Sequence, residues 1–511
     1  MSVHEATSVT TSRGQRSLDK IERAGNMLPH PFWLFWILAG VLAVVSFALH
    51  AAGVTVTKPD GDTVPIQNLL SSEGFRYAIT ESIDNFMSFP PLGTALVALM
   101  GLALADRAGL LTTAVRGALT RVSPKLVTPV LAFTASVAHV AGDAGYIILI
   151  PLGGIIFRAV GRSPIVGTVV ALVALSGGSA ASPIMIPNDV ILSGITTKAA
   201  HIVDPGYTMT PVGNIYFTIV SSLVLTAVIT LVVDKWLSGR IERIEDIHEL
   251  TDEERASMTL SPIEHRGLRN AAITALVYLL LLGASMAWPT SPMRGEGGGF
   301  VDSTLISGIA VFLALFFVAT GTAYGVTVKK ITNSASIPDL IADGLKDITP
   351  ILVLFFAVSQ FLGYFSWTNI GVLIATNGAE NLRDLDAPTI VIFGGILIVI
   401  SAMNLVITSG SAQWSLVGPI FVPMLMLLHV DPVTTTALYR IADSCTNVLT
   451  PVSPYFAMSV AIIARYRKSA GIGTLFSMTL PLAAAMFIAW VALFALWYLL
   501  GLPLGPGAPI R

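Results

Sequence analysis

The sequence contains little charge and almost no cysteine. Only 12% of its 511 residues are charged, and Cys445 is the single cysteine. One cysteine excludes an internal disulfide and any multi-cysteine metal site, so we interpret it as a small buried packing residue. Soluble domains carry about 25% charged residues. The low charge and the 54% share of hydrophobic residues therefore indicate a membrane protein, and the formal charge of −2 provides no basic face for nucleic acid.

Recognisable catalytic motifs are also missing. The chain has no H-E-x-x-H zinc motif, no P-loop and no G-x-S-x-G nucleophile turn. An intramembrane enzyme would need a nucleophile with its base or a metal motif, so we expect no enzyme and no cofactor. The segment 1–29 is polar and the first apolar run is a full span, so we expect no cleavable signal peptide.

Long apolar runs, in contrast, are abundant. A membrane-spanning helix needs about 20 mostly apolar residues, and the sequence predicts an all-α membrane protein with about nine such helices. They cover approximately residues 30–53, 79–105, 164–200, 209–236, 267–288, 301–325, 348–375, 432–465 and 471–500. Two further apolar segments, about 125–160 and 388–428, are too long for one span and have polar centres at 138–146 and 408–414. We interpret both as re-entrant hairpins, since irregular backbone at membrane depth must be surrounded by protein or line a cavity.

The positions of Lys and Arg predict the orientation. Cytoplasmic loops are enriched in basic residues, and the predicted spans follow this rule when residues 1–29 form a cytoplasmic segment. The first hairpin then opens to the cytoplasm and the second to the outside. We expect residues 30–511 to form a single transmembrane unit in the inner membrane. The connections at 54–77 and 239–266 are loops, and 332–347 is an amphipathic helix.

The two hairpins belong to an internal repeat. At one constant offset along the chain, the first hairpin and the helix after it align with the second hairpin and the helix after that. Several Gly, Pro and aromatic residues of the two copies then coincide. The aligned pairs include Gly142 with Gly410, Tyr146 with Trp414, Pro164 with Pro432, and Pro183 with Pro451. Five crossings separate the hairpins, so the copies have opposite orientations. Inverted repeats are typical of secondary transporters, whose site lies at the repeat interface. The repeat cores cover about 125–200 and 388–466, and the remaining helices form a scaffold.

Each repeat contains a long helix with a predicted break. The first break covers 176–183 and is followed by Pro187-Asn188-Asp189, and the second covers 443–451. Proline removes an amide donor and clashes with the preceding turn. Freed carbonyl groups can bind a cation, and half-helix N-termini favour an anion. A simple proline kink is the alternative.

Ionisable residues at membrane depth are costly and therefore candidates for function. Arg440 and Asp443 lie on one helix face. They form either a structural ion pair, or a site in which Asp443 serves a coupling ion and Arg440 binds a carboxylate. Asp189 is a proton carrier, a substrate contact or a helix cap. Asp143 at the first hairpin centre binds an ion or caps a helix, whereas His139 is interpreted as a satisfied buried histidine.

The second hairpin centre carries an aromatic residue among short polar side chains. Trp414 could stack on an aromatic substrate, or it could simply pack the hairpin. Asn404, Ser411 and Asn447 provide oxygen atoms suited to a hard cation such as sodium.

Four passages give the chain a resemblance to a known family. They are Ala141-Gly142-Asp143-Ala144-Gly145-Tyr146, Pro187-Asn188-Asp189, Gly410-Ser411-Ala412-Gln413-Trp414 and Tyr439-Arg440-Ile441-Ala442-Asp443-Ser444. The chain resembles, over nearly its whole length, the AbgT family of p-aminobenzoyl-glutamate transporters within the ion transporter superfamily. The resemblance implies a homodimer of nine-span subunits with two hairpins. It assigns substrate binding to Asp189, Ser411, Trp414, Arg440 and Pro451, and sodium binding to Asn404, Asp443 and Asn447.

The resemblance also implies a function. We expect a secondary transporter, coupled to sodium or protons, that carries p-aminobenzoyl-glutamate or related aromatic amines of the folate type. Export of sulfonamide antimetabolites is the alternative, because these drugs are p-aminobenzoate analogues. An ion channel and an intramembrane enzyme are more distant alternatives. The sequence does not determine the direction of transport, since direction follows the coupling gradient.

Overall fold

The computed structural model describes residues 29–58, 61–119, 122–241, 251, 259–288, 290–295, 299–451, 453–468 and 470–510. Residues 1–28 of the predicted cytoplasmic segment and most of the predicted 239–266 loop lie outside these ranges. Most of the described residues are helical. Their β-structure is one antiparallel hairpin, β1 (Thr55–Thr57) with β2 (Thr63–Pro65), and one isolated bridge near the C-terminus.

The helices before the first repeat and within it number nine in the described ranges. They are α1 (Pro31–Ala51), α2 (Ser72–Thr80), α3 (Ser82–Met87), α4 (Pro90–Arg107), α5 (Leu110–Leu119), α6 (Val127–Ala138), α7 (Asp143–Ala159), α8 (Pro164–Gly177) and α9 (Pro187–Ala200). The scaffold helices that follow are α10 (Ile215–Val232), α11 (Ser238–Ile241), α12 (Pro262–Ala287), α13 (Thr304–Ser307), α14 (Ile309–Thr327), α15 (Ser336–Leu345), α16 (Thr349–Trp367) and α17 (Ile370–Asp384). The second repeat contains α18 (Thr389–Asn404), α19 (Gly410–Met426), α20 (Pro432–Asn447) and α21 (Pro454–Tyr466), and α22 (Ile472–Leu500) closes the chain.

The helix lengths agree with about nine predicted crossings. Six helices of the described chain are long and apolar enough to span a membrane, and α4 with α5 forms a seventh candidate bent by 63°. The remaining two predicted crossings, 164–200 and 432–465, are the broken helices α8–α9 and α20–α21, whose halves are each too short alone. The predicted all-α membrane fold with interrupted helices is confirmed.

Several predicted boundaries were wrong. The crossing predicted at 79–105 begins only at Pro90, because the chain turns at Ser88 and Phe89 before it. The crossing predicted at 348–375 ends at Trp367, where Asn369 adopts a left-handed conformation with φ of 63° and a separate helix, α17, begins. Residues 336–345 are helical, as the amphipathic pattern predicts.

The first hairpin consists of α6 and α7, which are joined by a short 3₁₀ turn at His139–Ala141 and by Gly142. Gly142 has a φ of 54°, a conformation that glycine adopts without strain. The two ends of the hairpin meet, because Arg162 after α7 donates a 2.8 Å hydrogen bond to Thr128 at the start of α6. A second bond of 2.7 Å joins Arg162 to Asp234. The segment therefore enters and leaves on one side.

The second hairpin consists of α18 and α19. Its ends also meet, because residues from the start of α18 and the end of α19 line one cavity of about 390 Å³. Its tip is at 405–409, so the predicted centre at 408–414 was placed too late. Ser409 caps α19 by accepting a 3.4 Å hydrogen bond from the Ala412 amide, which makes Gly410 to Trp414 the first turns of the helix.

The two broken helices are confirmed, with one correction. Helix α8 ends at Gly177 and α9 begins at Pro187, so the break includes the predicted 176–183 region. In the second repeat α20 continues to Asn447, and the next helix, α21, begins at Pro454. Asp443 was predicted inside this break and lies in helix instead, because proline disrupts a helix only over the turn before it.

The helices recur at nearly constant spacing in the two repeats. Helices α7, α8 and α9 begin at positions 143, 164 and 187, and their counterparts α19, α20 and α21 begin at 410, 432 and 454. The copies run in opposite directions where they meet. Asp189, near the start of α9, contacts Arg440 of α20. Thr196, further along α9, contacts Thr436, which comes earlier in α20. Every residue of α8 and residues 432–445 of α20 are buried, so the two broken helices form the centre of the molecule.

Candidate transport site at the repeat interface

The central helix α20 is polar although it is buried. Thr434, Thr435, Thr436, Arg440, Asp443 and Ser444 are each at most 3% exposed. A helix without an exposed face is usually apolar all round, as α8 is. Polar and charged groups at membrane depth are costly and are retained where they serve function. The polar side of α20 therefore marks the site.

A buried ion pair joins the two repeats. Arg440 is 1% exposed, and its Nη1 lies 2.5 Å from Oδ1 of Asp189. Asp189 is the third residue of α9, and its other oxygen accepts a 2.8 Å hydrogen bond from the Ile186 amide. Asp189 thus combines the capping and contact roles that the sequence left open. Arg440 pairs with Asp189 and not with Asp443, because α9 packs across the face of α20.

The pairing leaves part of the Arg440 guanidinium unused. Its Nε is buried without a hydrogen-bond partner in the described part of the chain. A guanidinium offers five N–H donors in a planar fork, which matches the two oxygens of a carboxylate. Arg440 is therefore held at one edge and retains capacity to bind an anionic ligand.

Asn404 at the end of α18 connects the second hairpin to the C-terminal half of α20. Its Nδ2 lies 2.7 Å from the Asp443 carbonyl, 2.8 Å from Thr446 Oγ1 and 3.3 Å from Asn447 Oδ1. Asn404 Oδ1 and Asp443 Oδ1 are buried and have no hydrogen-bond partner among the described residues. Gly410 covers this cluster, since a Cβ added there would lie 3.3 Å from each carboxylate oxygen of Asp443.

These oxygen atoms fit a hard monovalent cation. Hard cations prefer carboxylate, amide and carbonyl oxygens, and unpartnered buried oxygens are otherwise uncommon because they forfeit the hydrogen bonds that water would supply. Among the described residues, no three His, Cys, Asp or Glu side chains are grouped so that they could hold a metal ion, and the oxygens of this cluster come from one carboxylate with amide, hydroxyl and carbonyl groups. Asn404, Asp443 and Asn447, the predicted sodium ligands, do lie together.

Trp414 is enclosed in this structure. Its side chain is 0% exposed, and its indole Nε1 donates a 2.9 Å hydrogen bond to Thr196 Oγ1. Its ring lies against Tyr439 with the centroids 4.4 Å apart. The packing role that the sequence left open for Trp414 is therefore the one observed in this conformation.

Ser411 and Pro451 lie at the edge of the site. Ser411 is half-buried in the first turn of α19, and its Oγ is 3.5 Å from Ser409 Oγ. Pro451 is buried in the break after α20, next to Thr450, whose hydroxyl reaches the Asn404 carbonyl at 3.4 Å. These bonds place Ser411 beside the second hairpin tip and Pro451 beside the Asn404 cluster.

Three residues that link the elements around the site were not predicted from the sequence. Tyr439 donates a 2.5 Å hydrogen bond to the Gly410 carbonyl and so holds the second hairpin tip on α20. Ser444 links the two broken helices, because its Oγ lies 3.0 Å from Ser179 Oγ and accepts from the Ala180 amide at 3.1 Å. Tyr439 and Ser444 are the two ends of one passage that carries the family resemblance, so the sequence did contain a signal for them. Thr196 had no local signal.

The first hairpin tip is built differently. Tyr146 stacks on Tyr455 of the other repeat with the ring centroids 3.9 Å apart. His139 is buried as expected, and its Nε2 has no hydrogen-bond partner within the described chain. Asp143 is exposed and lines a cavity of about 580 Å³, which we call the vestibule.

The vestibule lies between the first repeat and the scaffold. Its wall includes the first hairpin tip, Pro187 at the start of α9, the end of α4 and residues 344–351. Arg107 on this wall forms ion pairs with Asp343 at 3.0 Å and Asp347 at 2.8 Å. The volume is within the range of about 300–1,000 Å³ that small-molecule sites occupy. Because Pro187 precedes Asp189 by two residues, the vestibule reaches close to the buried ion pair.

Two opposed repeats, two hairpins and two broken helices around a polar centre define a secondary transporter. The sequence model described as the "AbgT putative transporter family" matches residues 16–511, and the chain belongs to that family. The p-aminobenzoyl-glutamate transport protein of Escherichia coli K12 is 35% identical over 493 residues, which is 95% of each chain.

Two solved structures share the fold over nearly the whole chain. The YdaH transporter of Alcanivorax borkumensis is 34% identical, with a TM-score of 0.89 over 94% of this chain and 100% of its own. Neisseria gonorrhoeae MtrF, described with a class of antimetabolite efflux pumps, is 36% identical, with a TM-score of 0.90 over 97% of this chain and 100% of its own. The family and fold predicted from the sequence are confirmed. The protein is a multi-pass membrane transporter.

Proposed function

We propose that this transporter carries p-aminobenzoyl-glutamate, or a related aromatic amine of the folate type, and that a cation drives it. The observation that carries the proposal is the Arg440–Asp189 pair, buried between opposed repeats and adjacent to a cluster of unpartnered oxygens. The substrate class comes from the name of the Escherichia coli relative. An anion site and a cation site side by side suit a carrier that moves both together or in exchange.

Arg440 is proposed to bind a carboxylate of the substrate. Its Nε has no partner in the described chain, and a bidentate carboxylate would use the free edge of the guanidinium. Asp189 keeps Arg440 charged and oriented while the site is empty. In this conformation the vestibule is the route by which a ligand would approach α9.

Trp414 is proposed to contact the aromatic ring of the substrate only after the second hairpin tip moves. The Trp414 ring is enclosed by Tyr439 and Thr196, so a ligand cannot stack on it in the observed state. Movement of Ser411 with the tip would open the same region. A site whose aromatic residue changes between packing and binding is suited to alternating access.

Sodium is proposed to bind between Asn404, Asp443 and Asn447, with Gly410 covering it. Binding there would hold the hairpin tip against α20, and this would link occupancy of the cation site to closure of the substrate site. A proton on Asp443 is the alternative coupling ion, because protonation would also neutralise the unpartnered oxygen. No further cofactor is proposed.

The cellular arrangement is also a proposal. The distribution of basic residues supports an inner-membrane protein with a cytoplasmic N-terminus. Residues outside the repeat cores would form a scaffold through which two copies associate as a homodimer, and the cores would move relative to it. Both repeat cores, about 125–200 and 388–466, would move as units.

The test is uptake of labelled p-aminobenzoyl-glutamate into proteoliposomes under separately imposed sodium and proton gradients of either sign. We expect saturable uptake driven by one of the two ions. Arg440→Ala should abolish uptake while the protein still inserts, and Arg76→Ala, at an exposed position of α2, is the matched control. Uptake by Arg440→Ala at the wild-type rate would overturn the site. Unsaturable ionic current would instead identify a channel, and chemical conversion of the substrate would identify an enzyme.

Export of sulfonamide antimetabolites is the second candidate function. The specific observation that favours it is the 36% identity to MtrF, which is described with antimetabolite efflux pumps. A sulfonyl group would take the place of the carboxylate at Arg440. Proteoliposomes loaded with labelled sulfonamide distinguish the two functions, because only an exporter releases the drug when the outward coupling gradient is applied.

A further inference from the structure

A second, apolar cavity system lies beside the first helix break. One chamber of about 720 Å³ is bounded by α5, α6, α12, α14 and the first helix break. Another of about 500 Å³ follows α12 towards its N-terminus. The two share five lining residues, namely Leu111, Ala114, Ala118, Phe316 and Phe317. The two chambers are therefore adjacent, and together we call them the lateral groove.

The lining of the lateral groove excludes a polar ligand. The polar side chains of the larger chamber are Thr134 and Tyr278, and the Tyr278 hydroxyl already donates a 2.7 Å hydrogen bond to the Phe312 carbonyl. In the smaller chamber, Thr320 is bonded to the Phe316 carbonyl at 2.8 Å, and the remaining polar side chain is His265, near the N-terminus of α12. Water needs two or more polar partners to remain in a cavity. The occupant that fits is an apolar chain.

The groove opens sideways along membrane-spanning helices. Phe133, Ile184 and Leu279 on its rim are 37%, 40% and 57% exposed, and α12 and α14 are both long and apolar enough to cross a bilayer. Lipid acyl chains therefore surround the opening. An empty apolar void forfeits dispersion contacts on its lining, and an acyl chain entering from the bilayer would restore them.

The N-terminal end of α12 adds positive charge to the mouth of the groove. His265 lines the smaller chamber. Arg269 is four residues after His265 and three before Ala272, which also lines the chamber, so it lies on the same helix face. Arg266 and Arg269 are both exposed. Arginine near a membrane surface attracts anionic headgroups.

We propose that the lateral groove is a binding site for one anionic phospholipid, with an acyl chain in the groove and the headgroup against His265 and Arg269. The bound lipid would contact both the first repeat, through α6 and Pro183–Met185, and the scaffold, through α12 and α14. It would therefore fill the space across which the two parts slide. The proposal is independent of the identity of the transported substrate.

The test measures lipid retained by the purified full-length protein, by native mass spectrometry, after addition of phosphatidylglycerol or phosphatidylcholine with the same acyl chains. The wild type should retain phosphatidylglycerol in preference. Ala114→Leu with Ala118→Leu fills the shared part of the groove, where both alanines are exposed, and should lose retention of both lipids. Arg269→Gln should lower the preference by about fivefold.

The matched control is Ala484→Leu, at an exposed position of α22 away from the groove. It should retain lipid as the wild type does, and thermal unfolding without added lipid confirms that each variant is folded. Equal retention of the two lipids by the wild type would overturn the proposal. Unchanged lipid retention in the groove-filled variant would also overturn it. If that variant instead converts a dimer to monomers and leaves lipid retention unchanged, the groove binds a second copy of the chain. The arginine variant tests the headgroup contact even if the filled variant does not fold.

Discussion

Replacing Asp189 by asparagine tests whether the ion pair at the repeat interface is structural, functional or both. The asparagine side chain keeps an oxygen that can accept the Ile186 amide, so the cap of α9 remains. The substitution removes the negative charge from a carboxylate 2.5 Å from Arg440. The guanidinium is then left charged in a site where it is 1% exposed. The substitution thus isolates the charge interaction from the helix cap.

The expected cost is large. Removing one partner of a buried ion pair costs about 3–5 kcal/mol, because the remaining charge is uncompensated. Stabilities of folded proteins are typically about 5–15 kcal/mol, so Asp189→Asn should lower the thermal unfolding temperature markedly. Asp189→Ala should be worse by a further ~1 kcal/mol, the usual net contribution of one hydrogen bond, because the Ile186 amide also loses its acceptor.

A second substitution separates stability from transport. Asp189→Asn with Arg440→Gln contains no isolated charge, so most of the lost stability should return. Transport should not return, because the proposed carboxylate-binding group is absent. The assays are thermal unfolding of the purified protein and uptake of labelled p-aminobenzoyl-glutamate into proteoliposomes. If the double variant transports normally, Arg440 and Asp189 are only a structural pair. If Asp189→Asn is as stable as the wild type, the electrostatic reasoning is refuted.

Three further predictions concern the second hairpin and helix α20, which it covers. Asp443→Asn should remove the sodium dependence of uptake without unfolding the protein, as a sodium titration would show; unchanged sodium dependence would exclude Asp443 as a ligand. Trp414→Phe should cost about 1–3 kcal/mol and reduce uptake, because it removes a buried hydrogen bond to Thr196; thermal unfolding measures the cost, and no loss would argue against the enclosed position. Gly410→Ala should weaken sodium affinity, because its Cβ would lie 3.3 Å from the Asp443 carboxylate, whereas Gly394→Ala, with no atom within 4 Å, should not; equal effects would contradict the role of the tip.

The sequence was sufficient for the architecture because its signals are local. Apolar runs specify spans, and the prolines at 164, 187, 432 and 454 each stand at the first position of a helix, where the missing amide costs nothing. The repeat could be recognised because prolines at helix starts recur at a constant offset, as Pro164 and Pro432 show. The errors were also local. Gly410 was read as the tip of the hairpin, but Ser409 caps a helix that begins there.

The partners of the site residues depended on tertiary structure alone. Arg440 contacts Asp189, 251 residues away, and Trp414 contacts Thr196, 218 residues away. Sequence periodicity shows which face of a helix a residue occupies, but not which helix packs against that face. Arg440 and Asp443 share a helix, yet one belongs to an ion pair and the other to a cluster of oxygens, because different elements cover them. The sequence by itself determined which residues are polar at membrane depth. Packing of two opposed repeats decided which of them meet, since a buried charge takes its partner from whatever the fold places beside it.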